Sequence, residues 1–113
     1  MENMPQNARE IIETIPERFI PERAKDMEAI IHMDISGENG GQFTVLVKDG
    51  ICKLESGLNH EPTSFLGGKD TDFEDVEFGR TNPAMAIMMG KAKTKNLNEL
   101  LRFKGCFDPL KPE

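Results

Sequence analysis

The sequence predicts an α+β fold, and three observations carry that prediction. Asp49-Gly50 lies between two alternating apolar runs, Phe43 to Lys48 and Ile51 to Ser56, a strong short-range signal for a two-residue β-hairpin. Ile31, Met33 and Ile35 alternate with His32 and Asp34, the pattern of a strand with one wet face. Late in the chain two helix starts follow each other. Thr71 and Glu74 are spaced as a capping box, and Asn82-Pro83 is a cap followed by a first-turn proline. Strands are expected near residues 30–36, 43–48, 51–56, 62–66 and 91–95, and helices near 8–20, 72–78, 83–89 and 97–104.

Residues 1–7 read as a disordered lead-in, residues 8–107 as one domain and residues 108–113 as a tail broken by Pro109 and Pro112. From Ala8, the spacing of Ile11, Ile12, Ile15 and Phe19 suits an amphipathic helix that Pro16 must kink or split. Pro21 and Glu22 suit the first turn of a further short helix running through Met27. Gly37 to Gly41 is a turn between strands. In the hairpin, the Asp49-Gly50 turn pairs Lys48 with Ile51, Val47 with Cys52, Val45 with Leu54 and Phe43 with Ser56. Phe43, Val45, Val47, Cys52 and Leu54 then share the core face. Thr44, Leu46, Lys53 and Glu55 take the other. Pro62 to Leu66 is the fourth strand, and Gly67-Gly68-Lys69 leads into an acidic helix stopped by Gly79.

Ala84-Met85-Ala86-Ile87-Met88-Met89 has no polar face, so burial on every side is expected. Gly90 ends it. Lys91, Lys93 and Lys95 then alternate with Ala92 and Thr94 as a half-buried strand. Asn96 and Glu99 again match a capping box, and Leu97, Leu100, Leu101 and Phe103 give the last helix an apolar side ended by Gly105.

Composition excludes several classes of function. A net charge of -6 argues against nucleic acid, which attracts basic surfaces. No apolar run approaches the ~20 residues that span a bilayer, and the first residues lack the basic start and apolar core of a signal peptide. Two cysteines, Cys52 and Cys106, are too few for a disulfide framework and fit a reducing compartment. No catalytic motif is present: there is no HExxH, Gly-x-Ser-x-Gly or Walker loop. His32, His60, Cys52 and Cys106 lack metal-ligand spacing. No catalytic residue, metal or cofactor is therefore expected. Asp70, Asp72, Glu74, Asp75 and Glu77 crowd one helix, while Lys91, Lys93, Lys95, Arg102 and Lys104 crowd the segment after it. The plain reading of both groups is solvated surface. The sharper one has the basic group touching anionic lipid head groups.

The run Phe78-Gly79-Arg80-Thr81-Asn82-Pro83, with Ala86 and Gly90-Lys91-Ala92-Lys93 after it, resembles the signature of the sterol carrier protein 2 family. The similarity extends from about Ile11 to Phe103. It implies a twisted, five-stranded, mostly antiparallel sheet covered on one face by helices, with an apolar tunnel between the layers. It also implies non-enzymatic binding and transfer of an apolar lipid: a fatty acid, a fatty acyl-coenzyme A or a sterol-like ligand. The alternative is a dimerisation or accessory module for a lipid- or acyl-handling enzyme. The chain ends Lys-Pro-Glu rather than in the Ser-Lys-Leu-type tripeptide of peroxisomal members, so a cytoplasmic, prokaryotic-type protein is expected.

From the residues alone, Met85, Met88 and Met89 serve equally to fill a core or to line a cavity, because methionine adapts to irregular apolar shapes. The resemblance selects the cavity. The expected lining is Phe73, Phe78, Met85, Met88, Met89, Leu97, Leu101 and Phe103, with Phe43 and Val45 as the floor and Arg80 or Arg102 meeting a head group at the mouth. The expected partners are a lipid or acyl-chain ligand, a membrane met transiently and a second copy of the chain in a homodimer; nucleic acid is not one.

Overall fold

The computed structural model describes residues 5–108 and 110. Helices α1 (Ala8–Glu13) and α2 (Ile15–Arg18) and a 3-10 turn (Pro21–Arg23) precede strands β1 (Ala29–Ser36), β2 (Gly41–Lys48), β3 (Ile51–Ser56) and β4 (Ser64–Lys69). Helices α3 (Asp70–Glu77) and α4 (Pro83–Met88), strand β5 (Ala92–Lys95) and helix α5 (Leu97–Lys104) complete the chain. The sheet order is β3-β2-β1-β4-β5, with β1 and β4 parallel and every other pair antiparallel. The lead-in expected over residues 1–7 lies outside the described residues as far as Met4, as does the tail at residues 109 and 111–113.

The hairpin register is the one the Asp49-Gly50 turn dictates, with all six pairs from Phe43↔Ser56 to Lys48↔Ile51 in place. Phe43, Val45 and Val47 join Ile31, Met33 and Ile35 in the core. Burial of Cys52 pushes its thiol pKa up to about 12, so it serves as a small apolar side chain. Pro16 splits the first helix, leaving Thr14 between α1 and α2. The turn from Pro21 stops at Arg23, short of the helix expected through Met27.

The opposite sheet face is drier than its polar residues imply. The link from β3 to β4 crosses it, so Thr44 is fully buried, its hydroxyl donating to the Gly57 carbonyl (2.6 Å) and accepting from the Asn59 N–H (2.8 Å). His32 Nε2 meets the Asn59 carbonyl at 2.7 Å. A parallel β1–β4 pair requires such a crossing.

Local expectations need correction in three places: at β4, at the two capping boxes and at α4. β4 begins at Ser64 and runs through both glycines, because absent side chains let the neighbouring strand approach: a Cβ on Gly68 would lie 2.7 Å from the Lys91 carbonyl oxygen. α3 therefore starts at Asp70, and Thr71 and Glu74 form no capping box. The buried Asp70 carboxylate accepts instead from Thr71 N–H (2.8 Å) and Asn39 N–H (3.0 Å), and Glu74 accepts from Ala8 N–H (2.8 Å). Asn96 likewise caps nothing. At φ 59° it turns the chain from β5 into α5, and its Nδ2 donates to the Thr63 carbonyl at 3.0 Å.

The third correction concerns α4. Asn82 caps it as expected, its Oδ1 accepting from Ala84 N–H at 2.8 Å and Met85 N–H at 3.4 Å. Yet only Ala86 is buried, and Met88 is 83% exposed. A six-residue helix lying against the edge strand touches the domain on one side only, so an all-apolar sequence does not force burial on every side.

Candidate functional site

The sheet's inner face changes character across its width. Under β1 and β2 it carries Ile31, Phe43 and Val45, which pack solidly, with Met33 at their margin. Towards β4 and β5 it carries Leu66, Gly68, Ala92 and Thr94, paired as Leu66↔Thr94 and Gly68↔Ala92. Small residues there leave the helices α3 and α5 standing over space.

Two apolar cavities occupy that space. The larger, about 320 Å3, is lined by Met33 and Leu66 from the sheet, Phe73, Val76 and Phe78 from α3 and its end, Leu100 and Phe103 from α5, and Ile15, Phe107 and Leu110. That volume is at the lower end of the range of small-molecule sites. The smaller, about 60 Å3, lies towards α4 and β5 and is bounded by Ile35, Gly68, Ala86, Ile87, Ala92, Leu97 and Leu101. Leu66, Phe73, Val76 and Leu100, with the charged pair Glu77 and Lys104, border both cavities.

The C-terminal segment closes the larger cavity. Phe107 bridges to Phe19, Ile20 N–H donates to the Cys106 carbonyl (2.8 Å), and Asp108 N–H donates to the Arg18 carbonyl (2.9 Å). Phe107 also stacks edge-on to Phe103, with ring centroids 4.8 Å apart.

Charged groups at the larger cavity are Arg18, Glu77, Lys104 and Asp108; Lys104 and Asp108 are exposed and mark its mouth. Lys104 Nζ meets Glu77 Oε2 at 2.7 Å, so the acidic α3 and the basic end of α5 are joined across the opening. Arg18 is held by the Thr14 hydroxyl (2.9 Å) and the Asp108 carbonyl (3.0 Å). Burial pulls its pKa down, against Glu77, Asp108 and Glu17, which hold the proton on.

The expected lining residues separate into groups. Phe73, Phe78 and Phe103 lie together at the larger cavity, and Leu97 and Leu101 at the smaller. Phe43 and Val45 are buried in the sheet's solid half and border neither cavity. Met85, Met88 and Met89 are exposed and also border neither, because α4 turns Pro83, Ala86 and Ile87 towards the smaller cavity and its methionines away from it. Arg80 pairs with Asp75 at 2.9 Å and lies 5.1 Å above the Phe78 ring. Arg102 pairs with Glu99 at 3.4 Å and borders a shallow polar depression instead of an apolar cavity. Sequence reasoning missed Arg18, Val76, Leu100 and Phe107. Val76 follows Phe73, and Leu100 precedes Phe103, by three residues, the helical spacing that puts each pair on one face.

Among the described residues no cluster of His, Cys, Asp or Glu is arranged to hold a metal ion. No helix there is long and apolar enough to cross a membrane.

Solved structures with this fold include the sterol carrier protein domain 2 of Helicoverpa armigera (19% identity, 93% of this chain and 90% of that one, TM-score 0.63). Palmitated SCP2L2 from Aedes aegypti matches over 95% of this chain and 100% of that one, at 16% identity and TM-score 0.68. The sec-alkylsulfatase Pisa1 from Pseudomonas sp. matches 93% of this chain at 14% identity and TM-score 0.78, and the chain spans only 17% of that enzyme. No curated protein sequence matches the chain. The sequence profile of the SCP-2 sterol transfer family matches residues 10–108. Profile and fold agree over nearly the whole chain, and the protein belongs to the SCP-2 sterol transfer family, one of lipid binding and transfer.

Proposed function

We propose that this protein binds a single-chain lipid, a fatty acid or its acyl-coenzyme A ester, without chemically converting it, and carries it between surfaces in a cytoplasmic, prokaryotic setting. The observation that carries this reading is the 320 Å3 cavity, apolar within and charged only at Arg18, Glu77, Lys104 and Asp108. The acyl chain lies against Phe73, Val76, Leu100 and Phe103. An anionic head group stays at the mouth, where Lys104 and Arg18 offset the cost of desolvating it. Each methylene removed from water contributes about 0.8 kcal/mol, roughly fourfold in affinity. The palmitated Aedes structure supports an acyl chain over a fused-ring ligand.

Native mass spectrometry of freshly purified protein tests this. A bound mass in the fatty-acyl range that is lost on delipidation is expected. A protein that stays at its apo mass after incubation with excess palmitate refutes the reading. A second reading, an accessory or dimerisation module, is favoured by one observation: the sec-alkylsulfatase holds this fold over a small part of its length. Under that reading the protein forms a homodimer or binds an enzyme, and added palmitate does not change its mass.

A further inference from the structure

We propose that the surface formed by α4, the outer face of β5 and the start of α5 docks on an anionic lipid bilayer. The inference deepens the carrier reading by naming the surface on which the ligand is exchanged, and it rests on that reading for its purpose.

Charge segregation is the first support. Residues 78–98 contain four cations, Arg80, Lys91, Lys93 and Lys95, and no acidic residue, in a chain of net charge -6. The remaining residues therefore carry -10, so this segment, the longest in the chain without an acidic residue, opposes the bulk charge. Lys91, Lys93 and Lys95 are exposed, and among the described residues none of them has an ion-pair partner.

Exposed apolar area is the second. Seven large hydrophobic side chains are exposed among the described residues, and five of them are Met85, Met88, Met89, Leu97 and Leu101. The methionines and the lysines stand on adjoining elements at the sheet's edge, since α4 packs against the edge strand β5, and exposed apolar side chains with lysines are the composition of a segment that lies in the membrane interface. Methionine is unbranched and enters disordered acyl chains without a fixed shape.

Position is the third. Leu97 and Leu101 are at once exposed and part of the wall of the smaller cavity, where α4 and α5 meet. A bilayer seated there touches the apolar interior through two side chains. An acidic protein partner would need an apolar patch of its own to cover the methionines, and a second copy docked by this same face would bring the lysines against each other. The bilayer answers both features.

The test is co-sedimentation with phosphatidylcholine vesicles, with and without about one-third phosphatidylserine. Wild type should bind only the anionic vesicles, most of it released by high salt and a remainder held through the methionines. Lys93→Gln/Lys95→Gln should bind roughly 25-fold more weakly, at about fivefold for each lysine near an anionic surface. Met88→Ser/Met89→Ser should lose binding that resists salt. Neither pair borders a cavity, so both variants should displace a fluorescent fatty acid in vesicle-free buffer as wild type does. Vesicle binding unaffected by both substitutions overturns the proposal. So does a wild-type dimer that Met88→Ser/Met89→Ser makes monomeric with no change at vesicles. Wild type that takes up fatty acid yet ignores anionic vesicles sinks the docking surface and leaves the carrier reading standing. Vesicle binding without fatty-acid uptake does the reverse.

Discussion

Replacing Phe103 with Ala tests how the cavity wall is held. Phe103 is 3% exposed, packs edge-on to Phe107 at 4.8 Å and faces the larger cavity. Truncating a buried Phe costs about 3–5 kcal/mol, and the aromatic pair adds about 0.5–1.5 kcal/mol to what is lost. Because one side of the ring already faces space, the lower end applies, about 3 kcal/mol. Against a total stability of about 5–15 kcal/mol the variant still folds. With a urea m-value of about 1.5 kcal/mol per M, the unfolding midpoint should fall by about 2 M. The void left behind enlarges the cavity, so a longer acyl chain should recover more stability in the variant than in wild type. Palmitate at about 100 times its Kd restores roughly 2.7 kcal/mol to whichever protein binds it. Delipidated wild type and variant are compared by urea titration, with and without palmitate. A midpoint shift under about 0.5 M, or below 1 kcal/mol, would mean that Phe103 does not brace Phe107 against the sheet.

Asn82→Ala should cost about 1 kcal/mol, read as a melting temperature lower by about 4 °C, and Asn82→Asp should restore it; equal melting in all three means the Ala84 and Met85 N–H groups find other partners. Gly37→Ala forces a side chain into a φ of +105° and against the Asp70 carboxylate, so a loss of about 2 kcal/mol or more is expected in chemical unfolding; a neutral result removes the claim that Asp70 ties the β1–β2 turn to α3. Cys52 keeps its proton up to about 12 in the folded protein against an ordinary 9.0. Above 9.0 the unfolded chain therefore releases a proton that the fold retains, and stability contributed by this group is lost as pH rises from 9.0 towards 12. Cys52→Ala should flatten that decline, and unchanged pH dependence would show that Cys52 is not desolvated.

Local signals were legible where they act over short distances. Asp49-Gly50 dictated the hairpin register down to each pair, and Asn82-Pro83 the start of α4. Capping boxes at Thr71 and Asn96 failed because tertiary partners claimed the same groups: Glu74 turns to Ala8, and Asn96 to Thr63. The strand through Gly67-Gly68 escaped notice because its signal is the absence of side chains, which matters only once β5 lies alongside. Half of the candidate site followed the same logic. Phe73, Phe78 and Phe103 are brought together because each sits on the apolar side of an amphipathic element. Met85, Met88 and Met89 do not join them, since composition reports that a helix is apolar and not how many neighbours it has. Arg18 could not be anticipated: its place at the mouth depends on the return of residues 106–108 across ninety residues of chain.

The central claim is that an acyl chain occupies the cavity between α3, α5 and the sheet. Val76 borders both parts of that space, so Val76→Trp fills it from within, whereas Met88→Glu alters only a side chain already in water. Displacement of a fluorescent fatty acid from both variants, in vesicle-free buffer with folding checked by circular dichroism, separates the two places. The account predicts at least a tenfold loss of affinity for folded Val76→Trp, the equivalent of about 1.4 kcal/mol, and wild-type affinity for Met88→Glu. Undiminished binding by a folded Val76→Trp, or binding abolished by Met88→Glu, contradicts it.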